Sequence, residues 1–557
     1  MTHTTRIRHR RSRWHVKLVA LIATPLTVLM GTAEPGLTHD DDDELMGGGH
    51  SRPNHETPQG SGHEASALNM RLVGFNNLQA RSAYQPIIHR QGSRFIAYIG
   101  HHGGTAFNPM TGVDEPNGTS IVDVTNPSRP SYLTHIPGAA GVGEAGGAQM
   151  VRACNGRDLP RADASKVYLL RATATSHEVY DVTDPSRPSR VSVVVAGLGD
   201  THKSWWECDT GIAYLVSDGR PQGWRVSRMT KVYDLGNPAS PVFLRNFGLV
   251  GQEPGSTLPD NQVPINLHGP ISLGPNGDAS GAGKNRIYFG YGTNGRGVLQ
   301  IVDRSKLLND PSLGPLVPDA PGASPRVRPT PAQLLFPQIG KVDLFPSAGA
   351  HTTLPVLGMA VPDFADNTQG AVRDFVVITN EAIANECREN RQLVYLADVT
   401  TESTPFTVAN FQVPESSGKF CERGGRFGSH SSSESFTPIY YKRVVFFAWF
   451  NAGVRAVDIR DPFNPVEIAY YIPATTRDTD QRCVTITPPP PAVPFDRCKI
   501  AIQTNNVDVD DRGFIIIVDR ANTGMHLLEL TGDARQAANF PGEEDREVDS
   551  ATGRRGH

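Results

Sequence analysis

Several features that the chain lacks narrow its class. Its 557 residues include six cysteines, and no two of them form a CxxC pair, which argues against a metal-thiolate site. The formal net charge is only −4, and no basic face stands out beyond the N-terminal residues, so a nucleic-acid partner is not expected. Apolar residues at helical spacing are almost absent, which favours strands.

One long apolar stretch lies near the N-terminus, from Val16 to Met30, behind five arginines and ahead of Gly31-Thr32-Ala33. This order is typical of a secretory signal and predicts a signal peptide over residues 1–33. The stretch contains Pro25 and is too short to predict a membrane span, and no cysteine follows it as in a lipoprotein. We therefore expect an exported protein, periplasmic or extracellular, that reaches the membrane only if the signal stays uncleaved as an anchor. Arg10-Arg11 leaves a twin-arginine route open.

Two polar segments flank the main body of the chain. Residues 34–68 hold acidic, histidine and glycine residues and are predicted to be a disordered linker, which is favoured over a loose metal-chelating tract. Residues 533–557 are predicted to be a disordered tail.

A short apolar run that ends in an acidic residue recurs along the chain, at a spacing of roughly 50–95 residues. Several copies continue into a proline-containing turn, such as Asp123-Val-Thr-Asn-Pro127, in which the acidic side chain is expected to bond the amides just ahead. Each copy therefore predicts a strand, a fixed turn and another strand. The seven runs end at Asp123, Asp181, Asp234, Asp303, Asp398, Asp458 and Glu529.

Seven such units over residues 69–532 predict an all-β fold, a seven-bladed β-propeller, because small sheets packed on one another avoid the need for one very large core. The last unit lacks a clear outer strand, and Asn69–Phe75 fits that place, which would close the ring and remove the free edges. An open solenoid or two separate sandwiches are the alternatives. In the sixth unit we predict strands at Ser429–Pro438, Val444–Phe450, Val454–Ile459 and Val466–Ile472.

The phrases Ile121-Val-Asp-Val-Thr-Asn-Pro127, Val179-Tyr-Asp-Val-Thr-Asp-Pro185 and Val518–Leu530 resemble the LVIVD-repeat family of exported bacterial proteins. The resemblance covers residues 69–532 and implies a β-propeller. It implies little about chemistry, since a fold does not carry a function by itself.

The six cysteines fit an oxidising compartment. Cys483 and Cys498 flank a proline-rich insertion that a disulfide would close, and the other four lie in the same or consecutive units. Of the fifteen connectivities that six cysteines allow, we predict the pairs Cys154–Cys208, Cys387–Cys421 and Cys483–Cys498.

Histidines open the innermost strand in four consecutive units, the third to the sixth: His202, His268, His351 and His430. In a propeller these strands surround the axis, so the four imidazoles are expected to meet at one mouth. Imidazole suits iron and copper, and zinc is less favoured because four protein ligands would close its site. We predict a transition-metal site, with a metal-free polar pocket and a purely structural ring as the alternatives.

Other polar residues near these positions complete the predicted site. Glu207 and Glu434 follow two of the histidines closely and are predicted to orient the rings of a metal centre. Turns expected at the same face supply the predicted catalytic and substrate-facing residues His177, Glu381 and Arg455.

In architecture and residue type this arrangement is similar to two groups of propeller enzymes. These are the carotenoid-cleavage oxygenases, with four histidines on iron, and the selenium-binding or methanethiol oxidase group, with histidine-bound copper. The similarity implies a metal-dependent oxidoreductase acting on a small molecule. The competing hypothesis is a non-catalytic scaffold that binds a cell-envelope protein, and the sequence leaves both open.

Overall fold

A computed structural model describes residues 64–276, 285–314, 324–361 and 372–541. Within these ranges seven antiparallel sheets of at least four strands follow one another as blades 1 to 7, so the predicted seven-bladed β-propeller is confirmed. The predicted signal peptide, residues 34–63 of the predicted linker and residues 542–557 of the predicted tail lie outside the described residues.

The blades share one plan of four strands, from the axis outward. The innermost strands of blades 1 to 7 are Ala83–Gln91, Met150–Asn155, Trp205–Trp206, Leu267–Ser272, Thr352–Ala360, Ser431–Ser432 and Thr504–Val509. The second strands are Arg94–Gly103, Val167–Thr173, Ile212–Ser217, Arg286–Tyr291, Val372–Thr379, Val444–Ala448 and Ile515–Asp519. The third strands are Gly118–Asp123, Ser176–Asp181, Met229–Asp234, Val298–Asp303, Val394–Asp398, Val454–Asp458 and Met525–Leu530. The outer strands are Ser131–Pro137, Ser189–Ala196, Val242–Phe247, Gln338–Asp343, Phe406–Phe411, Val466–Ile472 and, in blade 7, Met70–Asn76.

Six further strands and three short α-helices decorate this plan. Ser66–Leu68 adds a fifth strand to blade 6, and Gly143–Ala148 pairs with the second strand of blade 1. Two hairpins stand apart from the blades, Thr105–Asn108 with Val113–Pro116 and Gln481–Ile486 with Phe495–Ile500. The helices are Arg304–Leu308, Pro331–Leu335 and Gly532–Ala537.

The helix Gly532–Ala537 lies where a disordered tail was predicted from residue 533. Its alanines Ala534 and Ala537 are buried beside Ile439 and Tyr440 of blade 6, so packing on a neighbouring blade orders this polar segment. The inner strand of blade 6 is also shorter than predicted. Within the predicted range Ser429–Pro438, only Ser431–Ser432 forms a strand.

The acidic residues that end the third strands fix the turns that follow. The Oδ1 atom of Asp123 accepts a hydrogen bond from the backbone amide of Thr125 at 2.8 Å, and that of Asp181 accepts one from Thr183 at 3.0 Å. The same bond recurs at Asp234, Asp398 and Asp458. The predicted strand–turn–strand unit is therefore confirmed at these five positions, whereas Asp303 instead caps the helix Arg304–Leu308 by accepting a hydrogen bond from the amide of Lys306.

Blade-to-blade packing makes the ring. The innermost strand of every blade contacts the innermost strands of its two neighbours, and Thr504–Val509 of blade 7 contacts Ala83–Gln91 of blade 1. Between blades the apolar runs interdigitate; Phe447 and Trp449 of blade 6, for example, share a core with Phe375 of blade 5. Because each sheet is covered on both faces, a central strand such as Val444–Ala448 is continuously buried and apolar rather than alternating.

Three disulfides are present, Cys154–Cys208, Cys387–Cys421 and Cys483–Cys498, and all three predicted pairs are confirmed. The first joins blades 2 and 3, whereas the third closes the hairpin Gln481–Ile486 with Phe495–Ile500 outside the blades. In the part of the chain that the structure describes, no helix is both long and apolar enough to cross a membrane.

Removing the Cys154–Cys208 bridge, by changing both residues to alanine, is expected to lower the free energy of unfolding by about 2–4 kcal/mol. The bridge closes a loop with a sequence separation of 54, and its loss frees the unfolded chain while leaving a small void between two blades. Chemical denaturation followed by tryptophan fluorescence measures the change. The matched control, Cys483→Ala with Cys498→Ala, should shift the denaturation midpoint of the propeller less. An equal or larger shift would show that the Cys154–Cys208 bridge has no special role in holding blades 2 and 3 together.

Candidate functional site at the propeller axis

The four histidines predicted to meet do lie together at one end of the axis. His202, His268, His351 and His430 sit at or just before the innermost strands of blades 3 to 6, and all four are buried. Neighbouring ring centroids are 4.2 Å apart for His202 and His268, 3.6 Å for His268 and His351, and 4.4 Å for His351 and His430. We call these four residues the histidine cluster.

The Nε2 atoms of the histidine cluster face a common space. Those of His202 and His268 are 2.7 Å apart, and the carboxylate of Glu381 lies 3.7–3.8 Å from Nε2 of His268, His351 and His430. One donor atom each from His202, His268 and His351 falls within 4.8 Å of the others, and the same is true of His351, Glu381 and His430. Two nitrogens that share an ion at about 2.0–2.1 Å lie roughly 3 Å apart, so this spacing fits a transition metal.

The opposite nitrogens of two cluster rings are held in place. Nδ1 of His351 lies 3.0 Å from Oγ1 of Thr352, and Nδ1 of His430 faces the carbonyl oxygen of Asn505 at hydrogen-bond distance. Among the described residues, Nε2 of His351 and of His430 has no hydrogen-bond partner. A ring fixed through Nδ1 with a bare buried Nε2 is the arrangement that metal-binding histidines use.

Burial sets the protonation of the cluster. Removal from water lowers the pKa of all four imidazoles well below its ordinary value, and nearby cations such as Arg228 and Arg520 add to the effect. The rings are therefore neutral at pH 7, which is the form that donates a lone pair to a metal. Burial also raises the pKa of Glu381, and the charges of Arg426 and Arg520 partly offset that rise.

A rim of charged groups surrounds the cluster. Glu144 is 45% exposed and reaches His102, His202, Arg228 and Arg520 with its carboxylate. Arg426 donates to Glu381 at 3.0 Å. Glu144, Arg228 and Arg520 were not predicted as site residues, because the strand Gly143–Ala148 and the loops of blades 3 and 7 that carry them contain no repeated motif.

Tyr84 was also missed, and it lies within the cluster. Its hydroxyl is 3.1 Å from Nε2 of His202, and its ring packs edge-on against His102 and His430. Tyr84 is the second residue of the innermost strand of blade 1, close to the place that the histidines occupy in blades 3 to 6. That correspondence was available in the sequence once the strand boundaries were aligned.

Glu207 and Glu434 were predicted to orient the histidine rings, but their carboxylates contact other residues. Glu207 binds the guanidinium of Arg304 through both oxygens and also accepts from Tyr214 at 2.9 Å. Glu434 pairs with Arg152 and Lys203. Four or five extended residues advance a chain by roughly 13–17 Å, so these carboxylates lie well beyond the histidines that precede them.

His177 and Arg455, predicted to face the substrate, pack away from the cluster. Nε2 of His177 lies 3.0 Å from Oγ of Ser217 in the next blade. Arg455 is fully buried, faces the carboxylate of Glu467 at 3.3 Å and lies over the ring of Tyr470. Both are on third strands, and two strand spacings of about 4.8 Å place their backbones roughly 10 Å outward from the innermost strands. Of the predicted catalytic residues, Glu381 alone lies at the cluster.

A cavity lies between the innermost strands, further along the propeller axis from the histidine cluster. This cavity of about 200 Å³ is lined by Arg152, Trp206, Glu434, Asp508 and neighbouring residues. A polar chain runs from the cluster towards it, because Lys203 donates to Oγ1 of Thr352 at 3.0 Å and pairs with Glu434. The axis is therefore filled by buried charges rather than by an apolar core.

Comparisons with known proteins give similarity of fold. No family model matches the chain, and no curated protein matches it. The chain is similar to Sqt1 of Chaetomium thermophilum, solved bound to the N-terminus of the ribosomal protein L10, with 10% identity over 82% of this chain and 99% of that one and a TM-score of 0.41. It is also similar to the β-propeller domain of Cps50 (Swd1) from Myceliophteria thermophila, with 9% identity over 84% and 100% of the two chains and a TM-score of 0.42.

Proposed function

We propose that this protein binds a transition metal, iron or copper, in the histidine cluster and acts there on a small molecule. The observation that carries the proposal is two overlapping sets of buried donor groups, one of His202, His268 and His351 and one of His351, Glu381 and His430, each with its ligand atoms within 4.8 Å of one another. A structural role for the cluster would not require bare, buried Nε2 atoms on His351 and His430.

The donor set favours iron or copper over zinc. Four imidazoles complete a tetrahedral zinc shell, whereas a larger shell that also uses Glu381 keeps room for a substrate. A bound iron or copper ion would supply one-electron chemistry to a small molecule. The protein's own contribution is to hold His351 and His430 through Nδ1 and to keep the site away from bulk water.

Metal analysis of protein purified from the periplasm tests the proposal. The wild type is expected to hold about one iron or copper ion per chain, and the His268→Ala/His351→Ala variant less than about a tenth of that, since removal of even an indirect partner of a metal ligand costs 10–100-fold in affinity. Inductively coupled plasma mass spectrometry gives the stoichiometry.

A buried histidine outside the cluster provides the control. His526 lies in blade 7 between Phe75 and Tyr471, and His526→Ala should keep the metal while losing stability. Metal-free wild-type protein, together with unchanged melting of the His268→Ala/His351→Ala variant, would refute the metal site.

A second candidate function is a scaffold for a protein partner in the cell envelope. The hairpin that follows His102 carries exposed Phe107, Met110 and Val113, each more than half exposed. Protruding apolar side chains of this kind are suited to docking. The metal measurement separates the two candidates, because a scaffold needs no ion at the axis.

We further propose that the protein is exported and belongs with the LVIVD-repeat proteins. Three disulfides support the export, since such bridges persist in oxidising compartments. The recurring Asp-ended strand and its turn support the family assignment. Fractionation of expressing cells, with the three bridges counted by thiol titration before and after reduction, tests the export.

A further inference from the structure

We propose that the rim of the histidine cluster binds a small carboxylate, held by Arg228 and Arg520 in the position that the Glu144 carboxylate occupies. This inference deepens the proposed function, on which it rests, by naming the substrate class as a small organic acid. The binding itself requires no metal and is measurable without one.

In the structure the carboxylate of Glu144 itself lies in the proposed carboxylate-binding position. Its Oε1 lies 3.3 Å from Nε2 of His102 and 3.6 Å from Nη2 of Arg520, and its Oε2 lies 3.6 Å from Nη2 of Arg228 and 3.8 Å from Nδ1 of His202. Four nitrogens from three different blades thus surround one carboxylate. A place built in this way accepts the two oxygens of an acid.

The fit of Glu144 is loose. Charge-assisted hydrogen bonds between arginine and carboxylate usually measure about 2.7–2.9 Å, so the distances of 3.6 Å leave both guanidinium contacts incomplete. Nη1 of Arg520 is buried, and no described residue forms a hydrogen bond with it. A free carboxylate, with no backbone to constrain it, can approach both arginines more closely.

The surroundings of Glu144 leave room for its side chain to move. Gly143, directly before Glu144, has a φ of 55° with open space where a Cβ would lie. The side chain of Glu144 is 45% exposed, whereas those of Arg228 and Arg520 are 16% and 13% exposed. The arginines are therefore fixed and the carboxylate is the replaceable partner.

Charge balance favours an anion once a metal is bound. Arg228, Arg426 and Arg520 carry three positive charges, and Glu144, Asp200 and Glu381 lie beside them as the acidic partners. A divalent ion among the neutral imidazoles would add two positive charges to this largely enclosed space. An anionic substrate compensates part of that excess where a neutral one would not.

Acetate is the probe, titrated by calorimetry at fixed pH and ionic strength into protein stripped of metal on a chelating resin. Glu144→Ala is expected to bind acetate at least about tenfold more tightly than the wild type, because the internal competitor is gone. Adding Arg520→Gln to Glu144→Ala should weaken binding at least about tenfold. Arg228→Gln in the same background is the second variant, in case Arg520→Gln melts too low.

Two controls make the result specific. Acetamide has the shape of acetate without its charge and should not bind detectably, and Arg187→Gln, at an exposed turn of blade 2, should leave acetate binding unchanged. The inference is overturned if Glu144→Ala binds acetate no better than the wild type, if acetamide binds equally, or if neither arginine variant weakens binding. Because these titrations use metal-free protein, their outcome is independent of the measured metal stoichiometry.

Discussion

Replacing Glu434 by glutamine is expected to lower the free energy of unfolding by about 3–5 kcal/mol, the cost of breaking a buried ion pair by removing one partner. The Glu434 side chain is 6% exposed and pairs with both Arg152 and Lys203 on the propeller axis. Glutamine fills the same space but leaves two buried cations without a counter-charge. Urea denaturation at pH 7 measures the loss.

The pH dependence of the wild type's folding stability provides a second test of the Glu434 ion pairs. Burial by itself would raise the pKa of Glu434, but the charges of Lys203 and Arg152 outweigh it and lower the pKa to about 2. The ion pairs therefore contribute stability above the ordinary pKa of a glutamate, and this contribution is lost as the pH falls towards 2. Glu434→Gln should lack that acid-sensitive component.

An exposed ion pair serves as the comparison for Glu434. Asp184 and Arg187 form one at a turn of blade 2, with side chains 43% and 85% exposed, and Asp184→Asn should leave the denaturation midpoint unchanged. Replacing all three buried partners, as Arg152→Met/Lys203→Met/Glu434→Leu, should recover much of the stability. A Glu434→Gln variant as stable as the wild type would contradict the assigned pairing.

Replacing Asp508 by asparagine is expected to stabilise the protein at pH 8, by up to about 4 kcal/mol. Burial in the innermost strand of blade 7 raises the pKa of Asp508 to about 7, although the backbone amide of Ile88 donates to it at 2.9 Å. An asparagine keeps an acceptor for Ile88 and never becomes charged.

The raised pKa of Asp508 means that this group makes the folded protein less stable as the pH rises. In the unfolded chain an aspartate ionises near pH 4, whereas in the folded protein Asp508 stays protonated until about pH 7. Folding stability from this group is complete below about pH 4 and falls by about 1.4 kcal/mol per pH unit up to pH 7. Urea denaturation of both proteins at pH 4 and pH 8 should therefore show a difference at pH 8 that disappears at pH 4.

A carboxylate with the opposite shift provides the control for Asp508. Partial burial of Asp123 opposes its ionisation, but hydrogen bonds from Thr125 and the charge of Arg94 hold its pKa below the ordinary value. Asp123→Asn should accordingly destabilise the protein at pH 8. A loss of stability in Asp508→Asn at pH 8 would show that Asp508 is ionised and paired in the folded protein.

Local interactions explain why so much of the fold was predictable. The bond from Asp123 to the amide of Thr125 spans two residues, and it recurs at four more of the seven acidic positions, so the repeat reveals strand ends directly. The disulfide pairs followed from the same unit boundaries, since Cys154 and Cys208 lie in consecutive units. The four histidines were found because one strand position recurs in four blades.

The predicted site residues that the structure places away from the histidine cluster have neighbours from elsewhere in the ring. Arg455 was expected at the mouth, yet its position on a third strand turns it into a buried partner of Glu467. Glu434 follows His430 by four residues, and that distance along a strand carries it to a different level of the axis, beside Lys203. Proximity in sequence does not predict contact when a strand extends by about 3.3 Å per residue.

The sequence by itself determined the seven-unit architecture, the three disulfides and which four imidazoles lie near the axis, because each of these depends on a short pattern repeated in register. Only the tertiary structure decided that Glu144, Arg228 and Arg520 from three separate blades surround those imidazoles. Their association depends on how the ring brings together residues that are up to several hundred positions apart. No local pattern encodes that geometry, since it arises from the packing of all the blades at once.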